Sequence, residues 1–115
     1  MSEISSIIKK IVEFRDRRDW KRFHTPKDLA MDLVIEASEL LEIFLWKKEK
    51  ELKRVVKEKK EKIKEELADV FITAFLIAHD LKLDVSKLIK KKLKINEEKY
   101  PIEKCKGKNK KYDEL

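Results

Sequence analysis

The chain has almost none of the residues that interrupt helices or make tight turns. It contains one Gly and two Pro in 115 residues, while charged residues make up 46% and hydrophobic residues 42%. Gly and Pro are the strongest breaks in local structure, and a chain of strands needs such breaks at every hairpin. This length is enough for one hydrophobic core but not for two. We therefore predict one all-α domain over residues 1–101.

The spacing of apolar residues predicts four helices, which would pack as a four-helix bundle. We place them at residues 3–18, 26–46, 65–81 and 85–100. The first has apolar residues on one face, whereas the third is apolar on nearly all sides, as expected for a helix enclosed by neighbours or by a second subunit. Because the third helix is this apolar, we predict that identical chains associate into a closed homo-oligomer that completes the bundle.

Two helix starts have clear capping signals. Thr25 supplies a side-chain oxygen for the second helix, Pro26 occupies its first position and Asp28 its third. Asp84 is the corresponding cap of the fourth helix. The Lys-rich stretch 47–64 has few apolar residues and fits a loop, a frayed helix or the first half of a longer one. Residues 102–115 are predicted to form a basic tail that is mobile without ligand.

The net charge of +7 is compatible with nucleic acid and equally with small molecules that carry phosphate. Cys105 is the single cysteine, so no internal disulfide is possible. We see no amino-terminal export signal, and the longest apolar stretch, at 67–81, is too short to cross a bilayer and is interrupted by acids. These features predict a cytoplasmic protein without a membrane span.

Two acidic pairs lie inside the most apolar parts of the chain. Glu36 and Glu39 belong to LAMDLVIEASELLEIF, and Glu66 and Asp69 belong to EELADVFITAFLIA. Each pair is spaced three residues apart, so both carboxylates leave the same helix face about one turn apart. Burying unpaired carboxylates costs several kcal/mol each, so a cation is expected between them. If the second and third helices pack antiparallel, the two pairs can meet.

Two explanations of the acidic pairs remain open from the residues alone. Acids are common in this chain, and pairing with the abundant lysines would need no metal. A metal site built from carboxylates, with no His or Cys nearby, would select a hard ion, Mg²⁺ or Mn²⁺, which keeps waters that a phosphate can displace. The apolar neighbours of these acids, rather than their spacing, favour the metal.

The two histidines have separate interpretations. His24 lies beside the capped start of the second helix, where free backbone amides favour anions, so it is a candidate phosphate contact. His79, in the apolar third helix, is predicted to be a hydrogen-bonded core or interface residue.

The acidic pairs and their surroundings together resemble a known family. EASE followed by EELAD resembles the ExxE and ExxD signature of the all-α nucleoside triphosphate pyrophosphohydrolases, the MazG-like superfamily. The blocks FRDRRDWKRFHTPKDL, LLEIFLW, KINEEKYP and KYDEL are similar to its dCTP pyrophosphatase branch. The likeness runs from about Phe14 to Leu115, and its strength lies in the order and spacing of these blocks.

The resemblance implies an enzyme that hydrolyses a deoxynucleoside triphosphate, dCTP or a related pyrimidine nucleotide, to monophosphate and pyrophosphate. It implies that Mg²⁺ is held by Glu36, Glu39, Glu66 and Asp69, which would be both metal ligands and catalytic residues. Such a metal neutralises charge on the triphosphate and positions a water. Glu42 or Glu65 is a candidate acceptor of the water's proton. The alternative interpretation of Glu42 is a surface acid paired with lysine.

The resemblance also implies substrate contacts and assembly. Trp20 and Trp46 would present rings to the base, and Lys92, Asn96 and Tyr100 would contact the nucleotide. The family forms dimers and tetramers. The chain departs from the branch in two respects. Thr73 stands where animal members carry a tyrosine, which places base preference in doubt, and the linker between the acidic pairs is short and Lys-rich.

Two other classes of protein remain alternatives at this point. A basic helical bundle could bind nucleic acid without a metal, and its binding would depend steeply on salt. A partner-binding bundle would use the acids only structurally.

Overall fold

The computed structural model describes residues 2–115, and within these residues it is helical with no strand. Its α-helices are α1 (Glu3–Arg17), α2 (Pro26–Glu42), α3 (Leu52–Glu58), α4 (Lys60–Asp80), α5 (Val85–Lys99) and α6 (Ile102–Cys105). Three short 3-10 turns cover Lys21–Phe23, Glu49–Glu51 and Tyr112–Glu114. The all-α prediction is confirmed. The described residues contain six α-helices rather than four, because α3 and α6 were not predicted.

The start of α2 follows the predicted capping chemistry. The Thr25 hydroxyl oxygen accepts the backbone N–H of Asp28 at 3.1 Å, and the Asp28 carboxylate accepts the backbone N–H of Thr25 at 3.3 Å. This reciprocal pair satisfies two backbone donors that have no partner inside the helix. Asp84 caps α5 with a single hydrogen bond, accepting the backbone N–H of Lys87 at 2.9 Å. Both predicted caps are confirmed.

The predicted end of the second helix, near residue 46, is wrong. Helix α2 ends at Glu42, and the next backbone N–H groups reach carbonyls three residues back instead of four: Ile43 to Leu40 and Phe44 to Leu41. This tighter winding ends the α-helical hydrogen-bond pattern. Trp46 then adopts the left-handed conformation with φ of 63°, which turns the chain away from the helix axis.

The open stretch 47–64 is resolved into a turn, α3 and the first part of α4. The break falls at Lys59, and α4 begins at Lys60, five residues before the predicted start at 65. Val55 of α3 is buried, and α3 packs against α4. The burial of Val55, in a helix that packs against α4, stabilises this segment as a helix. The charge pattern of the segment did not identify it as helical.

The structure divides into two compact units, one up to Lys82 and one over Leu83–Leu115. In the first unit α4 packs against α2 and also against α1, and its core includes Leu29, Leu76 and Ala78. Asp32 contacts Thr73, and Glu39 lies close to Glu66. Because the later residue of α2 meets the earlier residue of α4, the two helices are antiparallel, which is the condition under which the two acidic pairs can meet.

A buried ion pair joins α1 to the end of α4. Arg15 is 2% exposed and donates two hydrogen bonds to the Asp80 carboxylate, at 2.7 and 2.8 Å. Bidentate pairs of this kind are among the stronger side-chain interactions and fix orientation as well as distance. His79, the residue before Asp80, is exposed, so it is not a core residue of the chain. The other half of that prediction, a residue of an interface, stays a prediction.

The second unit contains α5, α6 and the last 3-10 turn. Tyr112 packs edge-on against Tyr100 with ring centroids 6.2 Å apart, and the ammonium of Lys99 lies 4.7 Å from the centre of the Tyr112 ring. The predicted boundary at residue 101 and the predicted mobility of the tail stay predictions. None of the described helices combines the length and the hydrophobicity that crossing a membrane requires.

Candidate active site

Three of the four predicted ligand residues meet where α2 crosses α4. One carboxylate oxygen each from Glu36, Glu39 and Glu66 lies within 4.8 Å of the other two. Glu66 is 5% exposed, and the other two are half-buried. The positions follow from the helices, since residues three apart on α2 face α4 together and the antiparallel register brings Glu66 opposite them. We call these three residues the carboxylate cluster.

The crowding of these carboxylates changes their ionisation. Burial, followed by the charges of Glu39, Asp32 and Asp69, raises the pKa of Glu36 to about 7. The pKa of Glu39 is raised, first by its hydrogen bond with Glu66 and then by burial. The pKa of Glu66 is lowered, first because Lys62 donates a hydrogen bond to it. Two of the three groups are therefore destabilised as anions by the site as it stands.

The carboxylate cluster fits a hard divalent cation. Oε2 of Glu36 and Oε2 of Glu66 are buried and have no hydrogen-bond partner among residues 2–115. Buried oxygens of this kind ordinarily have a partner, and their lack of one is a reason to expect an ion. The Lys62 ammonium lies 2.8 Å from the other Glu66 oxygen and supplies one positive charge to three acids. Oxygen-only ligands at this spacing suit a hard divalent ion.

Asp69, the fourth predicted ligand, lies outside the carboxylate cluster. It is exposed, and it lines a cleft that Glu36 also lines. Its charge contributes to the raised pKa of Glu36, so the two carboxylates are close enough to interact. Ligation of a metal by Asp69 stays a prediction.

This cleft, which we call the aromatic cleft, lies between α1, α2 and α4 and has a volume of about 190 Å³. Its apolar walls are Ile11, Phe14, Trp20, Ile72 and Leu76, and its polar walls are Arg15, His24, Asp32, Glu36, Asp69 and Thr73. Pockets for whole drug-sized ligands are about 300–1,000 Å³, so this cleft suits one flat ring rather than an entire nucleotide. The rings of Phe14 and Trp20 meet edge-on with centroids 5.9 Å apart.

A second groove borders the other side of the carboxylate cluster. It has a volume of about 580 Å³ and is lined by Glu39, Glu42, Ile43, Leu45, Lys47, Lys59, Lys62 and Glu66. We call it the lysine groove. Glu36 belongs to the aromatic cleft, whereas Glu39 and Glu66 belong to the lysine groove. The carboxylate cluster therefore lies between the aromatic cleft and the lysine groove, which has three ammonium groups.

The predicted base and phosphate contacts fall in different places. Trp20 and His24 line the aromatic cleft, and His24 Nδ1 is buried without a hydrogen-bond partner among residues 2–115. Trp46 is 90% exposed and lines neither cavity. Its contact with a base stays a prediction.

The three predicted contacts of the fourth helix belong to the second unit. Lys92, Asn96 and Tyr100 follow one another at intervals of four residues, which places them on one face of α5 and at its carboxyl end. Lys92 is exposed, and Asn96 and Tyr100 are half-buried. Their contacts with a nucleotide stay predictions.

Sequence reasoning missed the lysines of the groove and Asp32. Lys62 was hidden among the many lysines of 47–64, although its position four residues before Glu66 was a usable signal for a helical pair. Lys47 and Lys59 join the groove only through the fold of this segment. Asp32 lies one turn before Glu36, but an isolated acid in a helix with many acids carried no signal of its own.

Comparisons with known proteins identify the family of the chain. The chain belongs to the MazG-like family, whose profile matches residues 32–115. It is 35% identical over 105 residues to dCTP pyrophosphatase 1 of Rattus norvegicus and of Homo sapiens, which covers 90% of this chain. The match spans 62% of the length of each of these relatives. The resemblance inferred from the motifs is confirmed.

A solved structure supports the fold independently. A pyrophosphatase from Archaeoglobus fulgidus superposes with a TM-score of 0.83 and 36% sequence identity, covering 88% of this chain and 94% of that one. This likeness assigns the helical arrangement to the same fold.

Proposed function

We propose that the chain is a magnesium-dependent nucleoside triphosphate pyrophosphohydrolase that converts dCTP or a related pyrimidine nucleotide to monophosphate and pyrophosphate. The observation that carries this proposal is the order of the three features along the site: an aromatic cleft, a carboxylate cluster and a lysine groove. A nucleoside triphosphate presents a flat base, then a polyanion that binds a hard metal. The names of the relatives, dCTP pyrophosphatase and pyrophosphatase, support the same reaction.

Each part of the site has a defined task in this proposal. Glu36, Glu39 and Glu66 hold the metal, with Asp69 as a further ligand beside Glu36. When bound, Mg²⁺ supplies charge neutralisation on the phosphate oxygens and lowers the pKa of a coordinated water. Identification of the metal as Mg²⁺ rests on the oxygen-only ligands and on its role with substrate phosphates.

The lysine groove suits the phosphates furthest from the base. Lys47, Lys59 and Lys62 can each donate hydrogen bonds to phosphate oxygens as compact cations. Glu42 lines this groove and Glu65 does not, so we assign Glu42 as the acceptor of the proton from the attacking water. Trp20 stacks on the base, and His24 donates to a phosphate or sugar oxygen. On the basis of the family resemblance, we propose Lys92, Asn96 and Tyr100 as further nucleotide contacts.

A panel of nucleoside triphosphates with Mg²⁺, with the products separated by ion-exchange chromatography, tests the proposal. We expect equal amounts of monophosphate and pyrophosphate, no turnover in EDTA, and recovery when Mg²⁺ is added back. Release of inorganic phosphate with a nucleoside diphosphate would contradict the proposed reaction. Tight, salt-sensitive binding of nucleic acid without any turnover would favour the basic-bundle alternative. Since nucleoside triphosphates are made and used in the cytoplasm, we propose that location.

We also propose that the protein is a homo-oligomer, a dimer or a tetramer. Helix α4 exposes Leu67 and Phe71, and α2 exposes Val34 and Leu41. Large side chains on neighbouring helices form an apolar surface of the kind that proteins bury by association. We propose that a second copy of the chain covers this surface. In such an assembly Trp46, which lines neither cavity of its own chain, would be available to the site of a neighbouring copy.

Replacing Phe71 with Glu should shift the protein towards monomer. Phe71 is 53% exposed, and a charge in an apolar interface loses hydration without gaining a partner. Light scattering coupled to size-exclusion chromatography measures the mass directly. Phe23→Glu is the matched control, since Phe23 is 64% exposed but lies in the 3-10 turn outside α2 and α4. Equal masses for wild type and both variants would remove the support for this interface.

A further inference from the structure

A buried hydroxyl holds one carboxylate at the wall of the aromatic cleft. Thr73 of α4 is 4% exposed, and its hydroxyl donates to Oδ2 of Asp32 on α2 at 2.9 Å. Both residues line the cleft. A hydroxyl has one proton to donate, and here Asp32 receives it. Neither residue therefore has a donor left for a ligand.

The second oxygen of Asp32 remains available. Among residues 2–115, Oδ1 of Asp32 receives no hydrogen bond, and it is not among the buried atoms that lack a partner. The Thr73 hydrogen bond fixes the orientation of the carboxylate, since it connects two packed helices. The cleft wall thus presents an oriented acceptor with negative charge.

The remaining walls explain what this acceptor can meet. Trp20 and Phe14 provide aromatic surface, and a volume of about 190 Å³ suits one ring. A ring that lies in this cleft brings its edge to polar side chains. A ring edge that carries an N–H donor gains a charge-assisted hydrogen bond with Asp32. A ring edge that carries a carbonyl oxygen places one acceptor against another, so neither that oxygen nor the Asp32 carboxylate gains a hydrogen bond.

We infer that Asp32, held in place by Thr73, is a specificity-determining residue that selects pyrimidine nucleotides with an exocyclic amine over those with a carbonyl at the same position. Cytosine carries an amino donor at this position, and uracil and thymine carry an acceptor oxygen. The inference rests on the proposed function and deepens it by naming the base chemistry. It also gives a reason for Thr73, whose short side chain leaves the ring space open and fixes the acceptor.

The test compares kcat/KM for dCTP and for dUTP, measured side by side with wild type and Asp32→Asn. Asparagine has nearly the same shape, but its amide can donate to a carbonyl oxygen as well as accept. We expect wild type to prefer dCTP, and the ratio to fall by about tenfold or more in Asp32→Asn, with dUTP turnover retained or raised. Because both substrates are measured on one preparation, partial loss of folded protein cannot change the ratio.

Thr73 offers a matched pair of variants. Thr73→Ser keeps the hydroxyl and should keep the wild-type ratio, whereas Thr73→Val has nearly the same volume without the donor and should lower it. Calorimetric titration of Mg²⁺ into Asp32→Asn separates base selection from metal binding. Asp32 is not a member of the carboxylate cluster, so we expect the metal affinity to change far less than in Glu66→Gln.

The failures of the two proposals are distinguishable. If wild type hydrolyses no nucleoside triphosphate, the proposed function fails. If wild type is active but Asp32→Asn lowers turnover of both substrates equally, or leaves the ratio unchanged, the base-selection inference alone is overturned. A loss of Mg²⁺ affinity in Asp32→Asn with an unchanged ratio would assign Asp32 to the metal site and overturn the inference as well.

Discussion

Replacing Glu66 with Gln should lower pyrophosphohydrolase activity by at least about 100-fold, since partners that only support metal ligands already account for about 10–100-fold in affinity or activity. Glu66 is the most buried member of the carboxylate cluster, and one of its oxygens has no partner. The amide has the same shape but carries no charge, so the metal loses a ligand while the packing persists. Steady-state rates with Mg²⁺ measure the loss.

A second measurement separates this expectation from a structural effect. In wild type, Mg²⁺ should raise the melting temperature, because a ligand that binds only the folded state stabilises it. In Glu66→Gln this rise should disappear. The metal-free variant loses both the repulsion with Glu39 and the ion pair with Lys62, so its melting temperature should stay close to that of metal-free wild type.

Glu61→Gln is the matched control for this experiment. Glu61 lies on the same helix and also pairs with a lysine, Lys64 at 3.1 Å, but it is exposed and is not a member of the carboxylate cluster. It should keep both activity and the effect of Mg²⁺ on melting. Full activity of Glu66→Gln would show that the carboxylate cluster is structural, and the proposed function would lose its chemical basis.

Replacing Asp80 with Ala should lower the free energy of unfolding by about 3 kcal/mol, because it leaves the Arg15 cation buried without a partner. Arg15 is 2% exposed and Asp80 is 13% exposed, so water cannot replace the lost carboxylate fully. For a domain of this size, such a change lowers the melting temperature by about 10 °C or more. Urea unfolding at fixed protein concentration measures it.

Two further variants identify the cause. Asp16 also lies near Arg15, at 3.7 Å, but it is 55% exposed, so Asp16→Ala should change stability by less than about 0.5 kcal/mol. The double variant Arg15→Met with Asp80→Leu should recover most of the loss, since an apolar pair of similar volume replaces a buried ion pair well. Equal losses for Asp80→Ala and Asp16→Ala would contradict the assignment.

The same ion pair predicts a dependence on pH. The hydrogen bonds from Arg15 hold the pKa of Asp80 below its usual value. A lowered folded-state pKa contributes stability that is present above the unfolded value near 3.8 and is lost as the pH falls through the folded value. The difference in stability between wild type and Asp80→Ala should therefore be constant near neutral pH and shrink below pH 4.

The capping signals and the acidic pairs were readable without a structure because they depend on neighbours within one turn. Thr25 with Asp28, and Asp84 with the α5 amides, are local interactions, and the structure has both. The end of α2 was not readable, because nothing in the composition of residues 43–46 distinguishes continued α-helix from the tighter winding that the structure has. Helix α3 was missed because its assignment depends on the burial of Val55 against another helix.

The amino-acid sequence by itself determined that the chain is helical, where its capped helices begin, and that Glu36, Glu39 and Glu66 face inward, since these properties follow from propensity, capping and the 3.6-residue period. Only the tertiary structure decided which inward-facing groups meet. The register of α2 against α4 separates Asp69 from the carboxylate cluster and pairs Asp32 with Thr73, while the fold of 47–64 brings Lys47 and Lys59 to the groove. Helical periodicity specifies a face, but it carries no information about how far one helix is shifted along another.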